Sequence, residues 1–549
     1  MEEDPYADYP MPSEDNNNMK CPYLSQINRK ALDFDMQKVC SVTLSNQNVY
    51  CCLVCGQFFS GRGQGTPVHT HSVQHSHFVF INLHSTKIYT VPDNYEVVDS
   101  SLDDIKYCLS PTFSASDLQD LSRSETLSHD VSGTAYLPGF VGMNNLNCTD
   151  CINAVLHALA HVQPIRDFFL VPSNYATSQS GIVHKFGAVL RKMWSRGNFK
   201  STVSPHDFVH EVNVSSKGRF RVGQQSQVVD FFSWLLNALD KGLTKSSNSA
   251  GSKKRPRDGS SSSSSSSSSS ATASPSVIHA AFQGQIHVTT RQEGTRETES
   301  DVACMYMTLN IPPRPLFEGA DGEDVHKATI PEIPLYELLK KMDGSTWTDA
   351  VSTKGLTKRR YKIKKLPTYL ILNLERFTKT KFALEKNPTV VTFPVKNLDM
   401  SSVMENASNI GNGKDVDAMS TKELRELVQA SSSPEAHTLL KAALEKPDLV
   451  RAARAALAPP KYDLVASICH DSSTHKTVGA RVSTSDEGLG KGKKEDTSAT
   501  AALEMGAFKT HLCHRATGQW FEISDLSVRE TMPQLVGMSE SNLLIYERQ

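Results

Sequence analysis

The chain has 549 residues, with 58 Lys and Arg against 59 Asp and Glu and a formal net charge of −1. At about 150 residues per domain this leaves room for three to four domains, or for two carrying insertions. The balanced charge excludes a global field that would gather nucleic acid or anionic membrane, and no apolar run approaches the roughly 20 residues needed to span a bilayer.

Residues 1–20 are acidic, rich in Pro and Asn and almost free of aliphatics, so they cannot bury enough apolar surface to offset chain entropy; a disordered tail is expected. Glu2, Glu3 and Asp4 stand where a secretory signal would be basic, which points to an intracellular, reducing compartment. Residues 21–116 form a small mixed domain, with strand-like runs at His77–Leu83 and Lys87–Val91 closed by the turn Pro92-Asp93-Asn94. A polar helix is expected over Ser116–Ser128, and apolar spacing predicts another over Asn153–Val162.

The remainder, 137–549, is interrupted three times. Residues 244–275 hold a basic cluster (Lys253, Lys254, Arg255, Arg257) and a serine run from Ser260 to Ser270, a low-complexity linker expected to loop into solvent. Residues 400–460 have helix-former composition, with Asp448 near a start and Pro459-Pro460 as a stop, and read as an inserted helical hairpin. Residues 483–504 form a polar Gly- and Lys-containing loop. Between them lie strong strand signals at Tyr369–Leu374, Val390–Val395, Tyr462–Ile468, Gln519–Ile523 and Asn542–Tyr546. Helices early and strands late indicate an α+β fold.

Five cysteines (Cys21, Cys40, Cys51, Cys52, Cys55) fall within the first 55 residues, and His69, His71, His75, His77 and His84 follow at once. Thiols clustered with imidazoles point to metal binding rather than to a disulfide framework. Cys52-Leu53-Val54-Cys55 is a C-x-x-C on a turn; two thiolates and two later histidines would complete a tetrahedral zinc site. The alternative is a redox or buried thiol pair with exposed histidines, and the density of ligands favours zinc.

The string from Cys21 to Ile105 resembles the ubiquitin-protease (UBP)-type zinc finger of the spliceosomal, tri-snRNP-associated ubiquitin-protease-like proteins. Carried over by position, the resemblance implies Cys52, Cys55, His71 and His77 as ligands of one structural zinc ion. His69 and His75 stay as competitors; Cys21 and Cys40 are either core thiols, the favoured reading, or ligands of a second metal. Arg62 in SGRG corresponds to an arginine that in related fingers helps hold the ubiquitin carboxy terminus, whereas the usual aromatic clamp is not evident.

A second resemblance, over Leu137–Arg548 less the insertions, is to the ubiquitin-specific proteases. It implies a papain-like fold with a helical thumb and β-rich fingers and palm. GMNNLNCTDCINAVLHAL (Gly142–Leu159) resembles the family's cysteine box and places Asp150 at the nucleophile. The chemistry there needs a thiolate at a helix amino terminus, and a carboxylate is a weak nucleophile toward an amide. Asn145 matches the oxyanion-stabilising asparagine. GAFKTHLCH (Gly506–His514) places Ala507 where the base histidine belongs, and WFEISD places Ser524 at the orienting position. QQSQVVDFFSWLLNAL (Gln224–Leu239) and KLPTYLILNLERF (Lys365–Phe377) also resemble family boxes. A single cysteine, Cys304, stands in the fingers region, so no second structural zinc is expected there.

The resemblances imply a non-catalytic nuclear scaffold of the tri-snRNP in pre-mRNA splicing, with spliceosomal protein partners and weak or absent ubiquitin binding. The basic cluster of Lys253, Lys254, Arg255 and Arg257 suits a nuclear import signal. No phosphate loop or RNA-recognition signature appears, so no direct RNA binding is expected, and no membrane partner. One rival is an active deubiquitinase that recruits Cys148 or Cys151 with His511 or His514. Against it, Cys151 is turned ~100° along the helix from Asp150, and on a strand His511 and His514 lie about 13 Å and 23 Å from Ala507. Another rival is a ubiquitin-binding adaptor.

Overall fold

A computed structural model describes residues 21–121, 123, 125–249, 275–292, 297–313, 331–352, 355–379, 384–403, 419–430, 434–443, 445–457, 460–471 and 506–549. The acidic tail, the basic cluster with its serine run, and the loop 483–504 lie outside these residues. Two compact units are present: Met1–Asn147, Phe169–Ala176 and Gly181–Val222 in one, and Cys148–Phe168, Thr177–Ser180 and Gly223–Gln549 in the other. No described helix is long and apolar enough to cross a membrane.

The first unit is built on a four-stranded antiparallel sheet of β1 (Val49–Cys52), β2 (Phe58–Ser60), β3 (Val79–Asn82) and β4 (Ile88–Thr90), in the order β2-β1-β3-β4. Helix α1 (Pro67–His75) connects β2 to β3, and α2 (Asp103–Leu109) follows the sheet. All four residues of β1 are buried, because the sheet is covered on both faces. Val49, Cys51 and Leu53 join one cluster with Val79, Ile81 and Ile105, while Tyr50 and Cys52 join another with Phe59, Val68 and Phe80. The period-two alternation of a strand thus separates adjacent cysteines: Cys51 becomes a core thiol, driven well above its ordinary pKa by burial, and Cys52 faces α1. The helix Gly181–Trp194 belongs to this same unit, and Lys192 Nζ donates to the Phe34 carbonyl (3.0 Å) and to the Asp35 carboxylate.

In the second unit, α3 (Asp150–Ala160) is buried along its whole length, as expected of a helix apolar nearly all round. It packs on α4 (Val228–Ser249). That helix runs beyond the expected linker boundary at 244, with the Thr244 hydroxyl bonded back to the Asp240 carbonyl at 2.9 Å. Strands β5 (Gly284–Gln292), β6 (Thr298–Cys304), β8 (Asp343–Ser352) and β9 (Gly355–Lys365) form an antiparallel sheet in the order β6-β5-β9-β8. The main sheet runs β7 (Met307–Asn310), β10 (Tyr369–Glu375), β15 (Ser541–Arg548), β11 (Lys461–Asp471), β12 (Ala507–Cys513), β13 (Trp520–Ser524) and β14 (Ser527–Thr531), with Leu398–Asp399 beside β11. Only β7 pairs in parallel along this path. Leu370, Leu372, Leu374, Leu464, Leu544 and Tyr546 anchor its core. The run YLILNL is continuous because the strand is covered on both faces.

The polar helix expected over Ser116–Ser128 is shorter, Ala115–Leu121. The expected helical hairpin is instead three helices, α5 (Thr421–Ala430), α6 (Pro434–Ala442) and α7 (Lys446–Leu457). They enclose a small core of Leu424, Val428, Ala436, Leu449 and Ala452. Pro434 starts a new helix at its first position, where its missing N–H costs nothing.

Candidate metal centre and degenerate protease site

Cys52 ends β1, Cys55 sits on the turn after it, His71 projects from α1, and His77 follows the αL residue Ser76 that ends that helix. Their donor atoms all lie within 4.8 Å of one another. Cys52 Sγ is 3.6 Å from His77 Nδ1, Cys55 Sγ is 3.5 Å from His71 Nε2, and the two imidazole nitrogens are 3.1 Å apart. Tetrahedral zinc with Zn–S ~2.3 Å and Zn–N ~2.0–2.1 Å requires S···N edges of about 3.6 Å and an N···N edge of about 3.3 Å. The four side chains therefore fit the ion in spacing and in donor type.

The local fold explains the fit. Gly56, at φ +76°, reverses the chain so that its N–H donates to the Cys52 carbonyl at 2.9 Å; a Cβ there would stand 2.0 Å from the Ala31 carbonyl oxygen. The Phe59 ring stacks on His71 at a centroid distance of 4.3 Å and fixes its orientation. Burial lowers the His71 pKa, favouring the neutral imidazole that a metal needs. A hydrogen bond from Cys52 holds the Cys55 thiol well below its ordinary value. His69 and His75 fall outside the cluster, although the exposed His75 ring lies 4.7 Å from that of His71. Cys21 and Cys40 are buried and also outside it; Tyr95 donates to Cys21 (3.6 Å) and the Thr43 N–H to Cys40 (3.4 Å). Arg62 lies 4.0 Å above the Tyr89 ring. Cys304 ends β6 and is half-buried.

In the second unit, Asp150 occupies the first turn of α3, where its charge complements the helix dipole. It is 1% exposed. Its carboxylate accepts from Gln225 Nε2 at 3.0 and 2.9 Å and from the Phe508 N–H at 2.8 Å. A buried carboxylate is tolerable when its lone pairs are filled in this way. The donor from β12 is thus a backbone amide, and the adjacent Ala507 offers only a methyl group. Ser524 ends β13, and Asp525 Oδ1 after it accepts from Asn153 Nδ2 at 3.1 Å. Asn145 lies in the loop between the short strand Gly142–Met143 and α3.

Cys151 and His511 are not brought together. Cys151 is 1% exposed and burial drives its thiol far upward. Thr510 of β12 faces α3, donating to the Ala154 carbonyl at 3.2 Å, so strand alternation turns His511 to the opposite side of the sheet. There it meets Cys469 and Glu522 instead. His514, beyond the strand, bonds Thr517 at 3.1 Å. The role of Gln225 was not assigned from sequence, although the QQ pair beginning at Gln224 marks the segment.

A zinc-fitting finger and an α+β scaffold that holds a hydrogen-bonded carboxylate in the first turn of a buried helix define the class: a finger-bearing relative of the ubiquitin hydrolases. A family model described as "Ubiquitin carboxyl-terminal hydrolase" matches residues 141–546, and one described as "Zn-finger in ubiquitin-hydrolases and other protein" matches 40–102. The chain belongs to the ubiquitin carboxyl-terminal hydrolase family. It is 34% identical to human ubiquitin carboxyl-terminal hydrolase 39 over 98% of this chain and 81% of that one. It is 32% identical to the probable mRNA-splicing protein ubp10 of Schizosaccharomyces pombe, over 96% and 88%. Its identity to the pre-mRNA-splicing factor SAD1 of Saccharomyces cerevisiae is 29% over 68% and 75%. The fold matches a crystal structure of an essential yeast splicing factor with a TM-score of 0.64, 22% identity, and coverage of 96% and 99%.

Proposed function

We propose that this protein is a non-catalytic scaffold or assembly factor of the spliceosomal tri-snRNP, acting in pre-mRNA splicing in the nucleus through protein partners. Two relatives matched over much of this chain carry splicing names, which supports the assignment to splicing. The observation that carries the non-catalytic reading is the state of Asp150. Its oxygens are engaged by Gln225 and by the Phe508 N–H. A thiol isopeptidase needs a thiolate, an imidazole base and an orienting group acting as one unit, and loss of one member removes most of the rate. Asp150, Ala507 and Ser524 provide none of the three. Zinc, when bound by Cys52, Cys55, His71 and His77, closes a four-ligand structural site with no open position for substrate. The finger then acts as a rigid docking module rather than a Lewis acid.

Two measurements test this reading. Ubiquitin bearing a carboxy-terminal electrophile is expected to leave the protein unlabelled at every cysteine; labelling abolished by replacing one cysteine would overturn it. Affinity purification from nuclear extract is expected to recover tri-snRNP proteins and their RNAs, and recovery of ubiquitin without them would favour an adaptor.

A further inference from the structure

On the sheet face turned away from α3, three neighbouring strands contribute Cys469 (β11), His511 (β12) and Glu522 (β13). Cys469 Sγ lies 3.8 Å from His511 Nδ1, and Glu522 Oε2 lies 3.2 Å from His511 Nε2. A nucleophile on one ring nitrogen and a carboxylate on the other is the arrangement that activates thiols. Lys509 bridges Glu522 at 2.8 Å and Asp471 at 3.2 Å, so the carboxylates are held in place. These groups line a cavity of about 330 Å³ bounded also by Leu535 and Ser539, with Glu540 the further charged group on its wall. None of this belongs to the Asp150 site.

We propose that Cys469 is a redox modification site, a thiol–imidazole pair with His511 that reacts with small hydroperoxides entering this cavity. The choice of reaction follows from backbone geometry. Acyl transfer needs free N–H donors at the nucleophile to hold an oxyanion, whereas Cys469 lies within β11, two residues from its end, paired with Lys509 on one side and Ser541 on the other. Reduction of a peroxide needs no such donors. The sulfur attacks one peroxide oxygen, an S–O bond forms and the O–O bond breaks. Cysteine is oxidised by two electrons to the sulfenic acid, and the leaving hydroxide of hydrogen peroxide, or alkoxide of an organic hydroperoxide, takes the Nδ1 proton of His511 and departs as water or alcohol. Burial opposes the charge on His511, but Cys469 and Glu522 outweigh it and lift its pKa to about 9, so that proton is present at neutral pH.

The test uses the full-length, zinc-loaded chain. Limiting iodoacetamide followed by peptide mass mapping compares Cys469 with half-buried Cys513, whose thiol burial pushes up to about 11. At pH 6.5 Cys469 is expected to react at least about tenfold faster, and hydrogen peroxide followed by dimedone is expected to trap the sulfenic acid there. His511→Gln is expected to reduce the alkylation rate about tenfold. Glu522→Gln keeps thiol and imidazole and is expected to slow the reaction severalfold at pH 8. A Cys469 that reacts only after unfolding, or a rate unchanged in both variants, would overturn the proposal.

Discussion

Asp150→Cys restores the residue type that the protease family uses, and it is expected to weaken the protein without making it an enzyme. In the native chain the carboxylate fills two donors, the Gln225 amide and the Phe508 N–H, in a site only 1% exposed. A thiol is a poor acceptor, so both donors are left nearly unpaired, at ~1–3 kcal/mol each. The helix amino terminus also loses a complementary charge worth ~0.5–1 kcal/mol. The sum is about 2.5–7 kcal/mol, equivalent in a unit this large to a fall of several degrees in its melting midpoint. Asp150→Asn is the control. Gln225 Oε1 is buried without a partner, so the glutamine amide can turn over and accept from the new Nδ2 while Asn Oδ1 accepts from Phe508. That variant loses only charge assistance, about 1–2 kcal/mol. Differential scanning calorimetry of the two variants beside the native chain, with the ubiquitin electrophile as activity probe, measures both effects. Asp150→Cys melting with the native chain, or reacting with the probe while Ala507 is unchanged, would refute this account of the site.

Chelation of zinc is expected to unfold the finger and to release one metal equivalent per chain, read by a colorimetric chelator together with circular dichroism; two equivalents would contradict the single site. Gly56→Ala, forced against the Ala31 carbonyl at positive φ, should cost the finger at least ~2 kcal/mol and weaken zinc retention, measured by chelator competition. His511 adds a pH dependence. Its pKa is raised to about 9 from an ordinary 6.5, so its stabilising contribution is complete below about 6.5 and is lost as pH rises through 9. The second unit should therefore melt lower at pH 9.5 than at pH 7, with a smaller difference in His511→Gln. Replacing Lys253, Lys254, Arg255 and Arg257 with alanine should exclude a fluorescent fusion from nuclei, and unchanged import would remove the signal from the proposal.

How much was legible in the sequence depended on how far apart the cooperating residues lie. The finger was readable because its candidate ligands are carried by one short segment, Cys52 to His77, in which a C-x-x-C turn and a single helix fix the geometry locally. The strands of the main sheet were readable as apolar runs, Tyr369–Leu374 most clearly. The three-helix form of the 400–460 insertion was not legible because helix-former composition does not fix where one helix ends and the next begins; the small core around Leu424 and Leu449 decides it.

By itself the sequence determined the residue types on which the non-catalytic proposal rests: no spatial arrangement can make a base of Ala507 or a thiolate of Asp150. What surrounds these residues was decided by tertiary structure. Gln225, Asp150 and Phe508 are separated by 75 and 358 positions in the chain, and their hydrogen bonds exist only once the sheet closes over α3. The same holds for Cys469, His511 and Glu522, which meet because β11, β12 and β13 pair in one register. Side-chain alternation along those strands then assigns each residue to one face of the sheet, a property of pairing that no local pattern contains.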